Sequence, residues 1–369
     1  MTFLRKIILL LNFIAASGLL AGGISIYANP SRLWVFSFFG LAYPIFIFIN
    51  IFFIFFWIIV RFKYSFISII AISLTFPVLK TYFSLPFPSI AGRSKASPLK
   101  VMSYNVRNFD LYHWSKKNGT LNEILKLIKE QNPDIICFQE FYTSSKGNFQ
   151  TIKMLMDQAG FKYYFFEKTY EHRMVDAWGI AIFSHYPIAG TGSIEFEKPT
   201  QNSCCYADIK LDDTTIRVFN IHLQSIYLSD KDYKYLEDIS ANQNLQVRPT
   251  EAIVAKLRKA FILREKQAIQ TETAVKESPY PVILCGDFND TPVSFAYHII
   301  SSNLQDAFLA GGWGIGPTYS GILKIYRIDY IFTDKQFVVN NYKTICKEYS
   351  DHFPIVATIS MKPIMFHKD

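Results

Sequence analysis

Before Ala96 the chain contains no aspartate and no glutamate. A water-facing surface carries charges of both signs, so the absence excludes an ordinary globular surface for this stretch. Cysteine is also scarce, with five in 369 residues. That excludes a disulfide-built scaffold. Cys137 in DIICFQE and Cys285 in VILCGDF sit inside apolar runs and read as small core residues. Cys204 and Cys205 are neighbours, which in a strand face opposite sides, and no second ligand pair accompanies them to bind zinc. Neither an internal repeat nor a low-complexity tract is present, which excludes solenoid and fibrous architectures.

In place of charge, the front of the chain has long apolar runs. Residues 7–27 read IILLLNFIAASGLLAGGISIY and residues 33–60 read LWVFSFFGLAYPIFIFINIFFIFFWIIV, both free of charge. Each reaches the roughly 20 residues that a membrane span needs. A third run, SFISIIAISLTFPVL at 65–79, is shorter and carries Pro77. Arg5 and Lys6 before an apolar stretch also fit a secretory signal, but the second and third runs argue against cleavage. We therefore expect a membrane anchor over residues 1–84 with three transmembrane helices, a linker over 85–98 rich in Pro, Gly and Ser, and a catalytic domain over 99–369. Arg5, Lys6, Arg32, Arg61 and Lys63 flank the runs, and the positive-inside rule then puts the N-terminus inside and the remainder outside after three crossings. In a bacterium this is an inner-membrane protein with an extracytoplasmic domain. Lys80, Arg93, Lys95 and Lys100 oppose that orientation, and losing the third span reverses it.

Of the 38 Lys and Arg, eight precede Ala96, leaving 30 to face the 30 acids of the remainder. The net charge of +8 belongs to the anchor, and the remainder lacks the net basic footprint of a nucleic-acid binder.

After the linker, strand and helix signals alternate. LKVMSYNV, PDIICFQE, FKYYFFEK, GIAIFSHYPI, CCYADIKL, TIRVFNIHL, YPVILCGDF, RIDYIFTD and PIVATISM read as strands, LNEILKLIKEQ and FQTIKMLMDQAG as amphipathic helices, and 227–276 as mostly helical. The pattern predicts an α/β fold of two packed sheets covered by helices. Polar residues recur at strand ends: Asn105 after SY, Glu140 in CFQE, His222 in FNIHL, Asp287 and Asn289 in GDFN, Asp329 in RIDY, Asp351 and His352 in SDHFP. In CGDFNDTP, strand alternation aims Asp287 and Asn289 the same way and Phe288 into the core.

In this order the residues resemble the endonuclease/exonuclease/phosphatase superfamily, which includes DNase I, abasic-site endonucleases, neutral sphingomyelinases and inositol polyphosphate 5-phosphatases. The resemblance runs from Leu99 to about Ser360 and implies a four-layer α/β sandwich of the DNase I-like type. It further implies a Mg²⁺-dependent (or Mn²⁺-dependent) phosphoesterase. Glu140 is the best hard oxygen ligand; the resemblance implies that Asn105 completes the metal site directly or through water and that Asp351 joins it. By resemblance, Asp329 pairs with His352, the pair and Asp287 handle the attacking water with the base left open, Asn289 holds Asp287 and a phosphate oxygen, and His222 donates from the opposite side. His at position 222 is similar to the DNase and sphingomyelinase branches. The implied substrate is a phosphodiester, either nucleic acid or, as an alternative, a phospholipid head group at the bilayer that holds the anchor. A non-catalytic binding domain is a further reading, and the full occupancy of the expected positions argues against it. GGWGIGPTY, at 311–319, reads as a loop rather than a P-loop, and EHRMVDAWG offers His172 and Arg173 either to a phosphate or to a plain polar loop.

Overall fold

In this computed structural model the described residues are 3–85, 97–197, 201–212, 214–226, 231–232, 235, 247–321 and 324–362. Most of the expected linker, and much of 227–246, lies outside them. The chain divides into two compact units. One comprises Met1–Tyr82, Gln224–Ala268 and Asp290–Ile299, and the other Phe83–Leu223, Ile269–Asn289 and Ile300–Asp369.

The first unit opens with helices α1 (Phe3–Ile24), α2 (Pro30–Leu33), α3 (Val35–Leu41), α4 (Tyr43–Arg61), α5 (Ser65–Leu74) and α6 (Phe76–Leu79). Proline starts three of them, at the first turns of α2, α4 and α6, where its missing N–H costs no intrahelical bond. Two helical stretches, Phe3–Ile24 and Tyr43–Leu74, are long and apolar enough to cross a membrane. The expected third span is shared between α5 and the short α6 and forms no separate long helix.

Among α1, α4 and α5 a buried polar chain replaces apolar packing. Trp57 Nε1 donates to Asn12 Oδ1 (2.9 Å), Asn12 Nδ2 to Ser68 Oγ (2.7 Å), and Ser68 Oγ to Asn50 Oδ1 (2.8 Å). Asn50 Nδ2 ends the chain on the carbonyls of Ala15 and Phe46. All four side chains are fully buried, so each bond fixes the rotation of one helix against the next.

Two later segments pack into the same unit. Val293 joins Leu19, Tyr43, Ile47 and Val78 in one apolar cluster, and the Ser25 hydroxyl lies 3.0 Å from Val293 O. A Cβ on Gly40 would stand 2.4 Å from that same carbonyl, so only glycine admits the segment. The long helix Val247–Lys276 contributes Glu265, whose Oε2 accepts from Ser31 N (2.7 Å) and Ser31 Oγ (2.6 Å), and Phe261, edge-on to Phe38. Arg258 lies over the Trp34 ring at 5.0 Å.

The second unit holds two six-stranded sheets. The first, ordered β11-β12-β1-β2-β4-β3, is built from β1 (Leu99–Asn105), β2 (Ile135–Ser144), β3 (Tyr163–His172), β4 (Asp176–Ser184), β11 (Phe337–Thr344) and β12 (Ile355–Met361). The second, ordered β5-β6-β7-β8-β10-β9, contains β5 (Ile188–Ile194), β6 (Ser203–Lys210), β7 (Thr215–His222), β8 (Val282–Asp287), β9 (Gln305–Asp306) and β10 (Asp329–Thr333). β1 runs parallel to β2 and β7 to β8; the other pairs are antiparallel. Alternation sorts the side chains: Val101, Ile135, Cys137 and Ile182 meet Ala207, Val218, Ile283 and Cys285 between the sheets. Met102, Ile136 and Phe138 face the other way, against α7 (Thr120–Gln131) and α8 (Thr151–Ala159), through Ile124, Leu125, Ile128 and Leu155. Both faces of these strands are covered, which is why they read as nearly unbroken apolar runs. This is the expected pair of sheets flanked by helices, with all five cysteines as free thiols.

The polar chain in the first unit generates a prediction. Asn12→Leu leaves the Trp57 donor buried and unpaired and should destabilise the full-length protein in detergent micelles by about 1–3 kcal/mol. Adding Trp57→Phe removes the orphan and should recover part of the loss in thermal unfolding. Strict additivity of the two substitutions would show that the chain does not lock the helices.

Candidate active site

Strand register brings the polar strand ends together. In the second sheet His222 of β7 pairs beside Asp287 of β8, and Asp287 beside Asp329 of β10, so three titratable groups stand in a row. In the first sheet Asn105 ends β1 opposite Gln139. The β2–β4 ladder slips between Phe138 and Phe141, and Glu140 occupies the slip with φ +47°. Such an irregularity re-aims a side chain at a local backbone cost of about 1–2 kcal/mol. Asp351 and His352 precede β12, and the Ser350 hydroxyl ties them to β1 by donating to Asn105 O (2.8 Å).

Amides join the two sheets. Asn105 Nδ2 donates to Glu140 Oε1 (3.2 Å) and across to Asp287 Oδ2 (2.9 Å). Its Oδ1 instead accepts from Arg107 N (3.1 Å), so the amide nitrogen, not the oxygen, faces the carboxylates. One layer below, Gln139 Nε2 donates to Asn220 Oδ1 (2.7 Å), and Asn220 Nδ2 donates to Phe138 O and Ala181 O.

Asn289 reaches Asp287 by a turn rather than by strand alternation. β8 ends at Asp287, and Asn289 has left-handed backbone (φ +53°), so its N–H (2.8 Å) and its Nδ2 (3.3 Å) both donate to the Asp287 carboxylate. Phe288 does face the core, against Tyr330 and Phe332. Gly286 is required: a Cβ there would stand 2.0 Å from Ile221 O on the neighbouring strand.

Two imidazoles flank Asp287 in different states. His352 Nδ1 meets both Asp329 oxygens (3.1 and 2.9 Å), and its Nε2 lies 3.6 Å from Asp287 Oδ2. Burial alone would lower the His352 pKa, but the charges of Asp329 and Asp287 outweigh it and hold the ring well above its usual range. His222 Nε2 lies 3.7 Å from Asp287 Oδ2 and 3.9 Å from Glu140 Oε1, with no hydrogen-bond partner. For this ring desolvation prevails and lowers the pKa. Desolvation also raises Asp287, and desolvation together with repulsion from Asp351 raises Glu140 to about 7. At neutral pH the site therefore presents one imidazolium and one neutral imidazole to the same carboxylate.

All eight residues expected from the sequence, Asn105, Glu140, His222, Asp287, Asn289, Asp329, Asp351 and His352, lie in this assembly. His172 ends β3 and Arg173 opens the β3–β4 turn. Other contributors carried no recognisable signal in the sequence. Thr318 Oγ1 accepts from the N–H groups of Ile328 and Asp329, the Tyr319 ring stands edge-on to His352 at 5.6 Å, and Arg107 lies 3.4 Å from Asp351. Thr318 and Tyr319 end the glycine-rich loop, whose role here is thus to support Asp329 and His352. Beside Asp351 opens a cavity of about 350 Å³, lined by Arg107, Trp114, Lys117, Lys324 and Tyr349 among others.

The donor set fits a hard divalent cation. Glu140 is buried beside Asp351 and Asp287, and among the described residues the cationic or protonatable groups set against Glu140 and Asp351 are Arg107 and the two histidines. Asp287, Asp329 and His352 form a second cluster whose ligand atoms lie within 4.8 Å of one another. Folding raises the Glu140 carboxyl, so its contribution to stability is present at low pH and lost as pH rises toward about 7. A cation that binds the ionised form reverses this. Mg²⁺ should raise the Tm of the full-length protein more at pH 8 than at pH 5.5, and Glu140→Gln should abolish the difference. Equal shifts at both pH values in the unsubstituted protein would remove Glu140 as the ligand.

A family model described as the Endonuclease/Exonuclease/phosphatase family matches residues 102–352, and a domain of unknown function matches 5–82. No curated protein matches in sequence. Among solved structures, an endonuclease/exonuclease/phosphatase family protein from Bacteroides thetaiotaomicron is 19% identical, with a TM-score of 0.54 over 72% of this chain and 98% of that one. The human Nocturnin catalytic domain with bound sulfate is also 19% identical, with a TM-score of 0.50 over 72% and 94%. A mannosyl-6-phosphatase from Bacteroides thetaiotaomicron gives 19% and 0.50 over 71% and 100%. The structural likenesses show the shared DNase I-like fold. The sequence match spans more than half the chain, and the chain accordingly belongs to the endonuclease/exonuclease/phosphatase family of phosphoester hydrolases.

Proposed function

We propose that the chain is a membrane-anchored, Mg²⁺-dependent phosphodiesterase. The observation that carries the reading is the placement of Asp287 between a cationic and a neutral imidazole at nearly equal distance. A Mg²⁺ held by Glu140, with Asp351 and Asn105 beside it, would neutralise charge on the phosphoryl oxygens when bound. Asn105 serves through its NH₂, bridging Glu140 to Asp287, or through water. Asp287, its basicity raised by burial, takes the proton of the attacking water. His352, kept charged by Asp329, donates to the phosphoryl group as negative charge grows there. His222, whose Nε2 is unpartnered, offers a second donor from the opposite side. The Asn289 amide is engaged by Leu223 O and Asp287, so its task is to hold Asp287.

The names of two neighbours, the Nocturnin catalytic domain with bound sulfate and a mannosyl-6-phosphatase, support phosphoester chemistry in general. The second reading, cleavage of a phospholipid head group, is favoured by the apolar N-terminal helices and by the even charge balance after Ala96. Full-length protein in detergent micelles should hydrolyse bis(p-nitrophenyl) phosphate with Mg²⁺, and Asp287→Asn or His352→Gln should lower kcat by about 10²–10⁴-fold. The same preparation is then given supercoiled plasmid and, separately, phospholipid vesicles. Nicking that Glu140→Gln abolishes makes it a nuclease; head-group release without nicking makes it a lipid phosphodiesterase. No hydrolysis of any of the three sinks the proposal.

For localisation we propose an inner-membrane protein in which α5 and α6 complete a third crossing and leave the catalytic part outside. Cys346 is the exposed cysteine, so an impermeant maleimide should label it in intact cells. Labelling only after lysis would mean two crossings.

A further inference from the structure

The two catalytic strands of the second sheet leave the site at Leu223 and Asn289, and the residues that follow them are held by one buried side chain. Arg264, on the helix Val247–Lys276, is 1% exposed. Its Nε donates to Gln224 O (2.7 Å) and its Nη1 to Asp290 Oδ2 (3.0 Å). Gln224 lies two residues beyond His222, and Asp290 directly follows Asn289. The neighbouring groups are fixed as well: Leu223 O accepts from Asn289 Nδ2 (3.1 Å) and Asn202 Nδ2 (2.8 Å), Gln224 N donates to Gln267 Oε1 (2.8 Å), and Asp290 Oδ1 accepts from Thr291 N (2.9 Å).

A buried ion pair gains little over a well-packed apolar pair, because desolvation cancels most of the attraction. What a guanidinium supplies instead is direction, since its planar fork sets the angle to two acceptors at once. Here one acceptor belongs to the segment after His222 and the other to the segment after Asn289. The same helix presents Glu265 to Ser31, Phe261 to Phe38 and Arg258 to Trp34, while Val293, three residues after Asp290, is packed among the N-terminal helices.

We propose that Arg264 is a positioning residue that keeps the chain segments leaving the His222 and Asp287–Asn289 strands in mutual register. The proposal rests on the phosphodiesterase reading for its kinetic test and on geometry alone for its spectroscopic one. The experiments use the full-length protein in detergent micelles with Mg²⁺ and bis(p-nitrophenyl) phosphate. Arg264→Met and the near-isosteric Asp290→Asn should each lower kcat per folded molecule by roughly 10–100-fold with KM changed less than twofold, since small misplacements of reacting groups cost that much. Arg264→Lys, which keeps the charge but loses the fork, should recover part of the rate, and the pH–rate profile should shift. A loss confined to Tm, with kcat per folded molecule and the pH profile intact, overturns the proposal.

If the unsubstituted protein turns over no phosphodiester, the functional reading fails while this inference is still tested by NMR of labelled histidines. The His222 ring signal should move in Arg264→Met or Asp290→Asn and stay in place in Arg217→Met, whose ion pair with Asp208 lies elsewhere on the second sheet. An unmoved His222 signal overturns the inference.

Discussion

The geometry of the strand ends depends on keeping the buried Asp287 carboxylate supplied with donors. An isolated carboxylate at zero exposure is costly, and burial raises its pKa. The cost is offset by Asn105 from the other sheet, by the backbone and side chain of Asn289, and by the imidazoles on either side. Each donor constrains something larger. Asn105 sets how the two sheets approach, Asn289 forces the left-handed turn after β8, and His352 requires Asp329 in register on β10. Gly286 keeps β7 close enough for His222 to arrive. A single electrostatic requirement thus fixes the relative placement of five strands.

Much of this was legible in the sequence because strand alternation and strand ends are local patterns. The eight site residues stand out since a polar group at the end of an apolar run is visible without knowing which strand pairs with which. Three strands escaped, one of them, β9, only two residues long. β5 reads IAGTGSI, where glycines dilute the β signal, and β11 reads FVVNNYKT, whose asparagines read as a turn; tertiary pairing to β6 and β12 overrides both preferences. Alternation also gave the right neighbours for Asp287 and Asn289 through the wrong geometry, because a left-handed residue cannot be read from FND. The supporting contacts of Thr318 and Tyr319 were not legible, since they depend on where a glycine-rich loop lands. Arg264 was hidden for the same reason: in a helix of mixed charge, nothing local separates a buried arginine from a solvated one.

Protonation gives the site its asymmetry. Two histidines in the same cup are driven opposite ways, one by paired carboxylates and the other by desolvation without a close partner. The protein needs no pH near a histidine's ordinary pKa to hold both forms together. Asp329 is therefore less a reactant than the reason His352 remains a cation, and Thr318 is in turn the reason the start of β10 stays in place.

The contact between Val293 and the N-terminal helices joins residues far apart in the chain; Ser25 and Val293 are separated by 268 positions. The apolar helices are synthesised before Val293, so their cluster lacks one member until that residue has been made. Loop closure over that distance is entropically costly, and contacts of such separation form late. Native packing of the first unit is therefore complete only once the segment carrying Val293 has been made.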